Sequence, residues 1–80
     1  MNYYVYILQS QKDGTYYVGQ TKNLDERLQR HNEKREKSTK FKSPYKIIRT
    51  EIFESRIEAL RREKQIKSYK GGNAFKKLTK

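Results

Sequence analysis

Two blocks of β-branched, aromatic and aliphatic residues, 3–9 and 15–21, stand on either side of Asp13-Gly14. Such blocks prefer a pleated backbone and the Asp-Gly pair supplies a turn, so the chain is expected to open with a β-hairpin. With a four-residue loop over 11–14, Ser10 faces Thr15, Leu8 faces Tyr17 and Tyr6 faces Gly19. A two-residue loop on Asp13-Gly14 shifts the register by two and leaves every residue on the same face. Tyr4, Tyr6 and Tyr17 therefore share one face beside Gly19, and Tyr3, Val5, Ile7, Tyr16 and Val18 share the other. In the four-residue register Tyr6 and Tyr17 are diagonal neighbours, about 7–8 Å apart at Cα. A glycine opposite a tyrosine leaves room for a ligand or a backbone; the plainer alternative is that the tyrosines fill a core short of aliphatic residues.

Asn23, with Glu26 three residues later, reads as a helix N-cap with its capping-box partner, opening a helix to about Asn32 whose apolar stripe is Leu24 and Leu28. Residues 33–43 are charged and polar, with Lys or Arg at 34, 35, 37, 40 and 42, and Pro44 closes this basic loop. Residues 45–53 return to strand composition, with Ile47, Ile48 and Ile52. Ser55-Arg56-Ile57-Glu58 is a second capping box, starting a helix to about Tyr69 that Gly71-Gly72 stops. Residues 73–80 add a short helix packing Phe75 and Leu78 onto the core. The order β-β-α-β-α, with this last helix, predicts one α+β domain over 1–80, a three-stranded antiparallel sheet flanked by helices.

Eighty residues exclude a second domain. Twenty Lys and Arg against nine Asp and Glu give +11, which favours an acidic partner, nucleic acid first. Leu, Ile, Val and Phe reach only 16 residues, barely one core, so seven Tyr must supply buried ring area. An exposed apolar patch for a protein partner has little material to draw on, and no obligatory protein partner is expected. The lack of Cys excludes disulfides, thiol nucleophiles and thiolate zinc sites and suits a reducing cytoplasm, the expected location. One His excludes multi-histidine metal sites. The longest apolar run, six residues over 3–8, falls short of the roughly 20 that span a bilayer, so no membrane association is expected.

Two places break the pattern. The second helix should bury Leu60 and Ile66, and Glu63 lies three residues from each on the same stripe. A carboxylate there loses hydration and needs a cation, a hydrogen-bond donor or a raised pKa; the plain alternative is a salt bridge to one of the many Lys or Arg. On the first helix Arg27 and His31, four residues apart, project together. They offer a fixed positive charge and a proton acceptor, as phosphodiester chemistry uses, or they are an ordinary solvated basic face.

Tyr4-Val5-Tyr6, ten residues of hairpin, Tyr17-Val18-Gly19, then Arg27, His31 and Glu63, with the ending Lys67-Ser68-Tyr69-Lys70-Gly71-Gly72-Asn73-Ala74-Phe75, resemble the GIY-YIG nuclease family over the whole chain. The resemblance is to its small stand-alone bacterial members. Tyr4 and Val5 stand where the first motif is named for Gly and Ile. The resemblance implies metal-dependent hydrolysis of DNA phosphodiesters, in DNA repair or recombination. It makes Tyr6 and Tyr17 the motif tyrosines, Gly19 the motif glycine, Arg27 the helix arginine, His31 the position that is His or Tyr in relatives, and Glu63 the metal ligand. Asn73 receives no role.

On that reading Mg²⁺ or Mn²⁺ binds at Glu63, Arg27 stabilises charge on the phosphate, and Tyr17 is the candidate general base, with Tyr6 orienting the water or the phosphate. A phenol of ordinary acidity, pKa about 10, needs nearby cations or a relay to His31 for that task, and Tyr17 and His31 both stand as proton acceptors. Lys40, Lys42, Lys64, Lys67 and Lys70, with Lys76 and Lys77, would hold phosphates without reading bases, so weak sequence preference or selection of branched, nicked or single-stranded DNA is expected. The rival reading is a non-catalytic nucleic-acid-binding domain, which would not need a carboxylate in a basic groove.

Overall fold

The computed structural model describes residues 2–33 and 42–79. The hairpin forms as β1 (Tyr3–Ser10) and β2 (Tyr16–Thr21), in the register of the four-residue loop, with Tyr6 opposite Gly19 and Leu8 opposite Tyr17. Ser10 builds that loop: its hydroxyl accepts from the amides of Lys12 and Asp13, and its carbonyl accepts from Gly14 N at 3.0 Å. Gly14 closes the turn at φ 78°, a left-handed conformation that a side chain would strain.

Helix α1 (Leu24–Asn32) starts where its cap predicts, Asn23 Oδ1 accepting from Glu26 N at 3.0 Å. Strand β3 (Tyr45–Phe53) pairs antiparallel with β1, so the sheet order is β2-β1-β3 with β1 central. Helix α2 (Arg56–Ser68) is capped by the Ser55 hydroxyl, which accepts from Glu58 N, and a six-residue α3 (Asn73–Leu78) follows.

Helices cover both faces of the sheet. On one, Val5, Ile7 and Val18 pack with Ala59 and Ile66 of α2 and Phe75 of α3, joined by Leu78. On the other, Tyr6, Leu8 and Tyr45 pack with Tyr17, Ile47 and the Leu24–Leu28 stripe of α1. One expectation is corrected: α2 buries Ala59 and Ile66, and Leu60 is only half-buried. Residues 59 and 66 are seven apart, two helical turns, and the small Ala59 lets the helix backbone approach the sheet while Leu60 turns to its flank.

A β-bulge in β3 decides what the α1 face contains. Phe53, Glu51 and Arg49 pair with Tyr3, Val5 and Ile7, on the α2 face. The register then slips at Ile48, so that Ile47 pairs with Leu8 and Tyr45 with Ser10. The extra residue inverts the alternation, and Ile47 and Tyr45, odd-numbered like Glu51, end on the α1 face.

Candidate active site

Under α1 the hairpin tyrosines meet the single histidine. Tyr6 is 1% exposed and His31 fully buried, and Tyr6 Oη lies 3.2 Å from His31 Nε2. Whether the phenol donates to a bare nitrogen or accepts from a protonated one follows the imidazole tautomer. The Tyr17 ring stands 4.8 Å from the imidazole and 6.4 Å from the Tyr6 ring, centroid to centroid. His31 is thus no part of a solvated basic face: it is enclosed by three tyrosines, the third being Tyr45, whose ring is 6.0 Å away.

The space at Gly19 is taken by the protein itself. A Cβ there would collide with the Tyr6 hydroxyl and Cζ, so the glycine admits the Tyr6 ring across β2 and leaves no ligand space.

Tyr45 and its anchor Asn32 were not singled out from the sequence. Tyr45 N donates to Asn32 Oδ1 at 2.6 Å, and Asn32 Nδ2 donates back to the Tyr45 carbonyl at 3.3 Å, tying the end of α1 to the start of β3. Burial, followed by the charge of Asp13 and proximity to Tyr17, pushes the Tyr45 phenol above its usual value, so it stays protonated and neutral. The amide at position 32 is the one local signal, since a carboxamide at a helix end can serve backbone donor and acceptor together.

The remaining site residues lie along the outer side of β2. Half-buried Arg27 lines a hollow of about 320 Å³ at the Gln20–Thr21 end, with Arg30 on α1 and Arg56 on α2. Tyr17 lines a larger hollow, about 640 Å³, at the other end, with Tyr16, Ile66, Lys67, Lys70 and Phe75. Tyr17 therefore links the enclosed imidazole to an open surface. Arg56, Glu63 and Lys67 follow at intervals of seven and four, so they form one stripe of α2, with Glu63 between the two hollows, and Lys70 lies beyond the end of the helix at φ 48°.

Glu63 has 16% of its side chain exposed and pairs with Lys67, Nζ to Oε2 2.8 Å. The salt bridge foreseen as the plain alternative is present. Among the described residues no group of three or more His, Cys, Asp or Glu is gathered to cage a metal ion. A hard divalent cation that keeps most of its waters needs only one carboxylate, and Glu63 supplies an oxygen donor at a point where a cation, the Lys67 ammonium, already sits. The donor chemistry fits such an ion once Lys67 moves off.

Of the lysines expected to touch nucleic acid, Lys67 and Lys70 border the larger hollow and Lys64 is exposed on α2 outside both hollows. Lys42 is exposed near the hairpin tip, its ammonium 3.9 Å from Asp13. Lys40 lies outside the described residues, as does most of the basic loop.

The GIY-YIG catalytic domain model matches residues 2–76. The UPF0213 protein BH0048 of Halalkalibacterium halodurans is 41% identical over 68 residues, covering 84% of this chain and 71% of that protein. The UPF0213 protein SSP2268 of Staphylococcus saprophyticus is 37% identical over 68 residues, covering 84% and 82%. The solution NMR structure of the UPF0213 protein BH0048 from Bacillus halodurans superposes with a TM-score of 0.52 at 35% identity, covering 92% of this chain and 90% of that one. With the family model matched over nearly the whole chain and relatives of this identity sharing the fold, the chain belongs to the GIY-YIG family.

Proposed function

We propose that this chain is a metal-dependent DNA endonuclease that hydrolyses phosphodiester bonds. The observation that carries the reading is the Tyr6–His31–Tyr17 cluster, a buried histidine hydrogen-bonded to Tyr6 and in ring contact with Tyr17, which reaches the surface beside a hollow bordered by cations. A core needing filler gains nothing from a histidine that must be hydrogen-bonded to be buried.

In this mechanism Arg27 binds a non-bridging oxygen of the scissile phosphate and stabilises the charge that grows on it. Water attacks phosphorus, the new P–O bond forms, and the bond to the 3′ oxygen breaks. As the attacking water gives its proton to Tyr17 Oη, the phenol passes its own proton to the His31 imidazole, and the departing 3′ oxygen takes a proton from solvent water. Complete burial of His31 supports Tyr17 as the group that meets the water, because the imidazole reaches no water directly and acts through the phenol. Glu63 would hold Mg²⁺ or Mn²⁺, which supplies Lewis-acid neutralisation of the phosphate and the leaving oxygen. Such cleavage would serve repair or recombination.

The Glu63–Lys67 ion pair favours a second reading, a nucleic-acid-binding domain without turnover, in which Glu63 is only a salt-bridge partner. Incubation of plasmid, branched and single-stranded DNA with Mg²⁺, Mn²⁺ or EDTA separates the two. Glu63→Ala should lower metal-dependent cleavage by about 10³-fold and Tyr17→Phe by about 10²-fold, both with DNA affinity nearly unchanged. Binding without cleavage by the wild type on every substrate moves the conclusion to the second reading.

A further inference from the structure

We propose that Lys22, Arg30 and Arg56 form a second anion site in the hollow beside Arg27, holding the strand phosphate next to the one that Arg27 binds. This rests on the nuclease reading only for the identity of that neighbouring phosphate.

Four cations line the hollow, Lys22, Arg27, Arg30 and Arg56, against one carboxylate, Glu26. They come from three places in the chain: the turn after β2, one face of α1, and the first residue of α2. Arg27 and Arg30, three residues apart, project together, and Arg56 meets them only through the tertiary fold. Like charges gathered in a concavity focus a positive field into it, which draws an anion there. Lys22 is aimed by its ammonium, 5.6 Å from the Tyr3 ring centroid, a cation–π contact that holds the long side chain along the wall.

Position along β2 favours a strand phosphate over a free anion. The hollow sits at the Gln20–Thr21 end of this edge strand, the Tyr17 hollow at the other, and Glu63 between them. A strand laid along that edge passes Glu63 and brings one further phosphate to the arginines. Guanidinium groups suit it, since their paired N–H donors match two phosphate oxygens.

The test measures binding of a short labelled duplex in EDTA, so that no cleavage occurs, as a function of salt. Lys22→Gln with Arg56→Gln, both exposed positions, should reduce the log–log salt slope by about one, the share of the one phosphate the site would hold. Arg56→Lys should keep the slope that Arg56→Gln loses. Lys46→Gln, on the far edge strand, should leave it unchanged. Titration of the wild type with inorganic pyrophosphate, followed by amide NMR shifts, should move residues 20–23 and 56 first.

An unchanged slope in the double variant overturns the proposal, as does a loss no larger than that of Lys46→Gln. Pyrophosphate shifts in the hollow without a slope change also overturn it, identifying a free-anion site instead. If the double variant does not fold, the single variants decide by the same slopes. A lowered slope in a protein that cleaves no DNA would keep the anion site and remove the nuclease reading.

Discussion

At Gly19 an added Cβ would stand 2.5 Å from Tyr6 Oη, 2.7 Å from Tyr6 Cζ and 3.1 Å from Tyr17 Cε1. The end of a flexible side chain could swing aside, but Tyr6 is enclosed and its hydroxyl is engaged with His31. Gly19→Ala should therefore destabilise the domain by about 2 kcal/mol, read as a lower midpoint in urea, and shift the His31 ring resonances as Tyr6 is driven away. An unchanged midpoint would show that the ring yields freely and that the glycine is not needed for packing. The same small residue that admits Tyr6 beside β2 thus leaves the Tyr6 hydroxyl within reach of His31.

Helix α2 is fastened to β3 by charge as well as by packing. Arg62 grips Glu51 with two bonds, Nε to Oε1 at 2.7 Å and Nη2 to Oε2 at 3.0 Å, and Arg49 adds Nε to Oε2 at 2.9 Å. The Arg62 hydrogen bond, helped by Arg49 and opposed by burial, holds the Glu51 carboxyl below its ordinary 4.5. As pH falls the unfolded chain takes up this proton first, so the contribution is complete above about 4.5 and is lost as pH drops through the lower, folded value. Glu51→Gln should cost about 2 kcal/mol at neutral pH, and the gap to wild type in urea midpoints should narrow between neutral pH and pH about 3. A gap constant with pH would mean the pair contributes nothing through its charge. What could be read in advance at this scale was local. Asn23 with Glu26, Ser55 with Glu58, and the hairpin register depend on partners within a few residues, and all three lie where they were expected. The bulge at Ile48 and the Asn32–Tyr45 clamp depend on how β3 meets β1 and α1, which no nearby residue announces, so Tyr45 was read as a strand residue only. The site followed the same division. Spacing paired Tyr6 with Tyr17 and Arg27 with His31, but the burial of His31 and the Lys67 partner of Glu63 required the tertiary structure.

At the scale of the described residues the sheet is covered on both faces, with the candidate site at the β2 edge, beside the cations that line the two hollows. No helix among the described residues is long and apolar enough to cross a membrane. The two helical layers never share a core: one cluster is centred on Val5 and Ile7, the other on Tyr6 and Leu8, and the sheet divides them. All three strands contribute to both, but β1 alone has a hydrogen-bonded strand on each side, with a helical layer over each face. Its amide protons should accordingly be the last to exchange with deuterated water, those over 5–8 outlasting the amides of α1 and α3, because either layer can open while the other still guards the strand. If α1 amides proved as slow as those of β1, the layers would open only together. If they do open separately, the Tyr6–His31–Tyr17 cluster can breathe on its own side while the α2 core keeps the domain folded.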